Sequence, residues 1–344
     1  MEQDRERRVA VERHPVRSNK DRPPLPKRPL GLWGYAATLT ILASIVAMGR
    51  IGIIDLPFGI GAAAGAGAKP ANAPTFLPSL PYGKGMWMWK PALSDGGDVK
   101  AMVSRAKEVG LTHIYVRTGS SWDAFYAGPF LDEILPAAHA AGIRIYGWDF
   151  PRLIDVENDV SRGLDAIRYR TPGGHRIDGF SADIETQHEG TRITAGAAAA
   201  YGAGLREGAG SDYPLIATVP RPSPYTRTFF PYAEVVAAFD AVAPMVYWLN
   251  RQPDTDVAGA LADLRALGKP IFPIGQAYDG APEGGRPGTP PPDEIERFLR
   301  QAWSDGAQGV SFWSWQAADQ PIWDAIRDAT EFKGQVSARV FDAG

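Results

Sequence analysis

Residues 176–190 read RIDGFSADIETQHEG. The run is mostly apolar and small until it reaches two carboxylates one residue apart, Asp183 and Glu185. In an extended strand, alternate residues share a face. Ser181, Asp183 and Glu185 then face one side, and Phe180, Ala182 and Ile184 the other. The apolar set suits packing against helices, and the polar set suits the inside of a closed sheet. A D-x-E triplet arises by chance in a chain of 344 residues, so its meaning depends on the architecture around it.

Working outward, the stretch is one of a regular series. Strand-like runs fall at 84–90, 112–119, 143–150, 177–185, 214–220, 241–248, 270–278 and 308–316. Runs with helical spacing fall between and after them, at 98–110, 130–142, 155–169, 195–208, 232–239, 256–268, 292–306 and 321–332. Strands alternating with helices imply βαβ units and parallel pairing. Eight units over residues 82–332 predict an α/β fold of the (β/α)8 TIM-barrel type. Glycines close several of the helical runs, at Gly110, Gly142, Gly208, Gly268 and Gly306, as left-handed caps do. An open doubly wound sheet would carry a G-x-G-x-x-G turn after its first strand, and KPALSDGGD stands there instead.

Barrel enzymes work from the C-terminal ends of their strands. The predicted rim offers Trp87 and Trp89, then Arg117 with Ser120 and Trp122, then Trp148 and Asp149, then Asp183 and Glu185. Arg221 follows, then Tyr247, Trp248 and Asn250, then Gln276, Tyr278 and Asp279, and finally Trp313, Trp315 and Gln316. Carboxylates, amides and aromatics on one rim match the needs of a sugar site: flat platforms, hydroxyl partners and acids. Asp149, Trp148, Arg117, Trp89, Trp248, Asn250, Gln276, Trp313 and Trp315 are the expected substrate-binding residues. Two carboxylates on neighbouring inward positions do not both ionise cheaply. One pKa should rise, which prepares a general acid.

DGFSADIE, Asp178 to Glu185, resembles the D-G-x-D-x-D-x-E signature of the family-18 chitinases, and MVYW (245–248) is similar to that family's M-x-Y-D. A tryptophan on the last strand, Trp313 or Trp315, also fits. The resemblance implies that Glu185 protonates the leaving oxygen. It implies that Asp183 orients an N-acetyl group whose carbonyl attacks the anomeric carbon, and that Tyr247 steadies the intermediate. The chain departs from the pattern at Ser181, where the signature has its innermost Asp, and at Trp248, where the family has an Asp. The family's S-x-G-G on the third strand is absent. The D-x-E arrangement also looks like that of the family-25 lysozymes, so the chain reads as a divergent member of the glycoside-hydrolase barrels.

Other chemistries are less well supported. Glu185 and Asp279 would serve a conventional retaining pair if their carboxyls lay about 5–5.5 Å apart, although AYDGAPEGG reads as a turn. His113, His139, His175 and His188 lack metal-ligand spacing, so no metal is expected. No cofactor motif appears. With no cysteine, the chain has no disulfide, thiolate metal site or cysteine nucleophile. A net charge of −3 gives no nucleic-acid signal.

Residues 1–29 are rich in Arg, Lys, Glu and Pro and read as a disordered tail. LGLWGYAATLTILASIVAMG (30–49) has no charge, and about twenty apolar residues span a bilayer core. The predicted organisation is a cytoplasmic tail (1–29), a transmembrane anchor (30–54), a Gly/Ala/Pro-rich linker (55–81), the barrel (82–332) and a tail (333–344). Basic residues before the anchor place the N-terminus in the cytoplasm and the barrel outside. Cleavage near ANA (71–73), which would release a secreted protein, is the alternative. The expectation is a membrane-anchored glycoside hydrolase acting on a polysaccharide of the cell envelope or one containing N-acetylhexosamine. A catalytically inactive carbohydrate-binding barrel is the alternative.

Overall fold

The computed structural model describes residues 80–332. The predicted tails, the predicted anchor and all but the last two linker residues lie outside them. No helix among the described residues is long and apolar enough to cross a membrane.

Nine strands form one sheet: β1 (Gly83–Met88), β2 (His113–Ser120), β3 (Ala124–Phe125), β4 (Arg144–Phe150), β5 (Gly179–Asp183), β6 (Leu215–Pro220), β7 (Ala241–Val246), β8 (Ile274–Gln276) and β9 (Gly309–Trp313). Eight of them run parallel, and β1 pairs with both β2 and β9, which closes the barrel. β3 is a two-residue antiparallel addition to β2 that the pattern did not indicate. Eight α-helices alternate with the barrel strands: α1 (Val99–Val109), α2 (Gly128–Ala140), α3 (Val156–Arg168), α4 (Ala195–Ala209), α5 (Tyr232–Val236), α6 (Pro253–Leu264), α7 (Pro292–Ser304) and α8 (Gln320–Asp328).

Every predicted strand and helix is present, with changes at the ends. The predicted strand 270–278 shrinks to three residues plus a lone bridge from Ile271 to Val242. Pro270 and Pro273 lack the N–H that a ladder needs. Gly110, Gly142, Gly268 and Gly306 adopt positive φ as expected. Gly208 does not cap its helix. It lies inside α4, where an added Cβ would meet Leu164 at 2.3 Å, and Gly210 (φ 90°) ends the helix.

The core has two layers. Between sheet and helices lie Ile114, Ile145, Phe180, Ala182 and Ile184 with helical partners such as Leu131, Leu205 and Phe298. Inside the barrel lie Leu80, Tyr82, Trp87, Tyr115, Tyr146, Trp148, Ile216, Phe272 and Ile274. Aromatics this large fit because glycines face them. A Cβ on Gly179 would sit 2.7 Å from the Tyr146 ring, and one on Gly85 would sit 2.0 Å from His113. Leu80, expected in the linker, is fully buried here and accepts a hydrogen bond from Arg144.

Candidate active site

The parity read from the sequence holds at β5. Phe180, Ala182 and Ile184 pack in the outer layer. Ser181 faces the interior and shares a 2.8 Å hydrogen bond with Thr218 of β6, so its hydroxyl is satisfied without Asp183. β5 ends at Asp183, and Glu185 lies two residues beyond it, partly buried rather than solvated.

Beneath the pair is an aromatic floor. Trp87 stacks on Tyr115 with ring centroids 4.1 Å apart, and its indole N–H donates to Ser311. Trp148 meets Trp87 and Trp313 edge-on and donates to the Met88 carbonyl. Above this floor Trp89 and Trp313 stack 26° from parallel, 6.2 Å apart. Trp89 is 38% exposed, so the two rings present a platform at the mouth. Arg117 lies over Trp148 and Trp89, 5.6 and 6.0 Å from their centroids. Tyr247 follows β7 and meets Tyr278 at a right angle.

Both acids are pushed toward the protonated form. Burial pushes Asp183 up to about 7, helped by the charges of Asp149 and Glu189 and opposed by the Arg117 guanidinium. Burial also raises Glu185 well above the ordinary carboxylate range, and the charges of Asp183, Glu189 and Glu283 add to it. Tyr247 is raised as well, by burial first and then by the charge of Asp183. The group therefore offers a carboxylic acid at neutral pH beside a second carboxyl and a neutral phenol.

The structure brings Asp183, Glu185, Tyr247, Arg117, Trp89 and Trp313 to one mouth. It turns others elsewhere. Asp149 faces α3 and α4. It is fully buried, paired with Arg162 at 2.9 Å, and Tyr201 approaches it at 3.4 Å. Burial pushes its carboxyl up to about 6 against the pull of Arg162. Trp248 lies in the outer core against Phe298 and donates to Glu294, so it offers no sugar face. Trp315 is also buried there and donates to Asp95. Trp148 is floor rather than wall, being almost fully buried. Gln276 is buried, and its amide is spent on the Leu249 N–H and the Tyr278 carbonyl. Asn250 is exposed in the turn after β7. Asp279, weighed as a nucleophile, is exposed and accepts from the Ala281 and Gly288 amides, so it staples its loop. Burial holds the His113 imidazole down to about 3, which makes it a neutral packing group. Among the described residues no cluster of His, Asp and Glu fits a metal ion.

Three contributors were not singled out from the sequence. Glu189 lies in the loop after the acids and accepts from Thr186. Glu283 accepts from Tyr278 at 2.6 Å. Arg152 holds the Glu189 and Gly190 carbonyls and lies 4.5 Å from the ring of Trp122, which is 72% exposed. Thr-x-x-Glu at 186–189 was a possible signal for Glu189. Glu283 and Arg152 sit in loops with no periodicity to read.

No protein-family model matches the chain, and no curated protein matches it. Solved structures do. An endo-beta-1,4-mannanase from Thermotoga petrophila aligns with TM-score 0.55 at 9% identity, covering 75% of this chain and 77% of that one. An endo-1,4-beta-mannanase from Rhizomucor miehei aligns with TM-score 0.53 at 11% identity, covering 68% and 86%. These alignments show a shared (β/α)8 barrel fold. A family-18 chitinase from Flavobacterium johnsoniae aligns more loosely, with TM-score 0.49 at 12% identity over 72% and 93%. In this barrel the acids, Tyr247 and the tryptophan platform meet at the mouth formed by the C-terminal strand ends.

Proposed function

We propose that this barrel hydrolyses glycosidic bonds in a polysaccharide containing N-acetylhexosamine units, such as peptidoglycan or a chitin-like glycan. One observation carries the reading: Asp183 ends β5 and Glu185 follows two residues on, and burial raises both carboxyls, that of Glu185 well above the ordinary range. Glu185 donates its proton to the glycosidic oxygen as the bond to the anomeric carbon breaks. Asp183 orients the N-acetyl group so that its carbonyl oxygen takes up the developing positive charge. The neutral Tyr247 hydroxyl donates to that group. The carbonyl oxygen bonds to the anomeric carbon as the leaving group departs. The Glu185 carboxylate then removes a proton from a water that attacks that carbon and releases the carbonyl oxygen. One strand end supplies the acid and its helper, so no protein nucleophile is required, which agrees with Asp279 being tied into its loop. Trp89 and Trp313 hold pyranose faces, and Arg117 binds a hydroxyl or balances Asp183.

We place this domain outside the cytoplasm, anchored by residues 30–54, with release by cleavage as the alternative. Protease accessibility of the barrel on intact cells tests that placement. A second reading, a silent sugar-binding barrel, draws on Ser181 being satisfied by Thr218 and on Trp248 lying in the core. It gives no role to a partly buried Glu185 whose carboxyl is raised well above the ordinary range.

Glu185→Gln is close to isosteric and should abolish turnover of soluble glycol chitin or purified peptidoglycan by at least about 10²-fold, the usual scale of a lost general acid. Binding in affinity gels should survive. Binding by both proteins with turnover by neither would favour the silent barrel.

A further inference from the structure

The loop after β6 carries an exposed aromatic that the proposed chemistry does not use. Tyr225 is 61% exposed, yet its ring is fixed. His188 Nε2 lies 3.1 Å from its hydroxyl, and Phe229 meets it edge-on at 5.1 Å. The backbone beneath is stiff. Pro222 and Pro224 flank Ser223, and Ser223 and Thr226 exchange hydrogen bonds, with each backbone N–H donating to the other's hydroxyl. Tyr232 donates to Thr226 from the side. His188 is itself held, since its amide donates to the Thr186 hydroxyl. Tyr225 is thus tied to the segment that begins one residue after Glu185. An exposed ring gains nothing in the core, so a rigid one tied to the loop that follows Glu185 marks a contact surface.

Its place in the barrel gives the contact a direction. Strand order runs β1-β9-β8-β7-β6-β5-β4-β2 and closes from β2 to β1. Trp89 follows β1 and Trp313 ends β9, which are neighbours. Tyr225 and His188 follow β6 and β5. Those pairs lie on opposite sides of the mouth, separated by β7 and β8 one way and by β4 and β2 the other. We propose that Tyr225, steadied by His188, is a second sugar platform, across the mouth from Trp89 and Trp313. A glycan that spans the mouth from one platform to the other passes the β5 end that carries Glu185, and the enzyme cuts within the chain. This rests on the glycosidase reading and adds to it a demand for polymer on both sides of the broken bond.

The test uses the full chain, its Tyr225→Ala and Tyr225→Phe variants, and soluble glycol chitin and purified peptidoglycan as probes. With the glycan that is cleaved, Tyr225→Ala should raise KM about tenfold with kcat within about twofold, a scale set by roughly 1.4 kcal/mol of lost stacking. Tyr225→Phe keeps the ring and should stay within a few-fold of the parent. Early products should be long fragments. Because the ring is exposed, equal melting temperatures are expected and separate the effect from misfolding. An unchanged KM in Tyr225→Ala, or mono- and disaccharides from the outset, would overturn the proposal while leaving the glycosidase reading intact. If the parent binds but does not turn over, affinity-gel retardation decides: lost retardation in Tyr225→Ala supports the platform, and equal retardation refutes it. A parent that neither binds nor cleaves either glycan removes both readings together.

Discussion

At the scale of single residues, the mouth is a site where charge is expensive. Asp183 has an ordinary carboxylate value near 4 when unfolded and about 7 when folded. Its folded value is raised, so the folded state keeps a proton that the unfolded state has lost. Stability therefore falls as pH rises between those two values. Asp183→Asn removes that cost. It should stabilise the protein at pH 8 by on the order of 1 kcal/mol and give no gain at pH 4, as read from urea midpoints. Activity has the same sign. Glu185 must carry its proton to act, so kcat/KM should fall on the alkaline side as the coupled acids ionise. Arg117 opposes the rise at Asp183. Arg117→Gln should accordingly move the alkaline limb of the pH–rate profile to higher pH. A limb that stays in place or moves down would separate Arg117 from the acids.

At the scale of elements, α3 is tied to the rim by charge. Arg162 pairs with Asp149 of β4 at 2.9 Å and with Asp159 one turn earlier at 2.8 Å, all three nearly fully buried. Asp159 also accepts from Ser121 and from the Leu153 amide, so one helix sets the loops after β2 and β4. Removing the guanidinium leaves two buried carboxylates facing each other. Arg162→Ala should cost about 3–5 kcal/mol, visible in chemical denaturation, with Trp122 and Arg152 released from their stack. The alternation of strands and helices was legible because each element repeats a simple period. The acid pair was legible because alternation fixes its face. That same alternation turns Asp149 outward, next to the inward Trp148, and Trp248 outward, next to Tyr247. A residue's presence at a strand end does not place it in the mouth. Trp315 shares the parity of Trp313 but lies past the end of β9, where the chain has turned toward Asp95. Glu189, Glu283 and Arg152 stand on loops, where no period relates sequence position to direction.

At the scale of the whole molecule, closure of the barrel makes its two ends unlike. The mouth collects acids and exposed rings. The opposite end is plugged by Leu80 and Tyr82, which enter before β1 begins, with Tyr82 edge-on to Phe272. Leu80 has no exposed surface, and its carbonyl accepts from Arg144 at 3.0 Å and from the Tyr82 amide at 2.8 Å. Since β1 is the strand that pairs with both β2 and β9, this plug sits against the seam where the sheet closes. A protein beginning at Tyr82 lacks the leucine of this plug, whereas one beginning at Ser79 keeps it. Loss of a buried leucine costs about 2–5 kcal/mol, and the Arg144 guanidinium loses an acceptor as well. The shorter fragment should therefore unfold at a clearly lower urea concentration than the longer one. Their activities should agree while both are folded, because the plug and the acids lie at opposite ends. Equal midpoints would mean that the seam is held by strand pairing alone and that Leu80 is a passenger of the preceding segment.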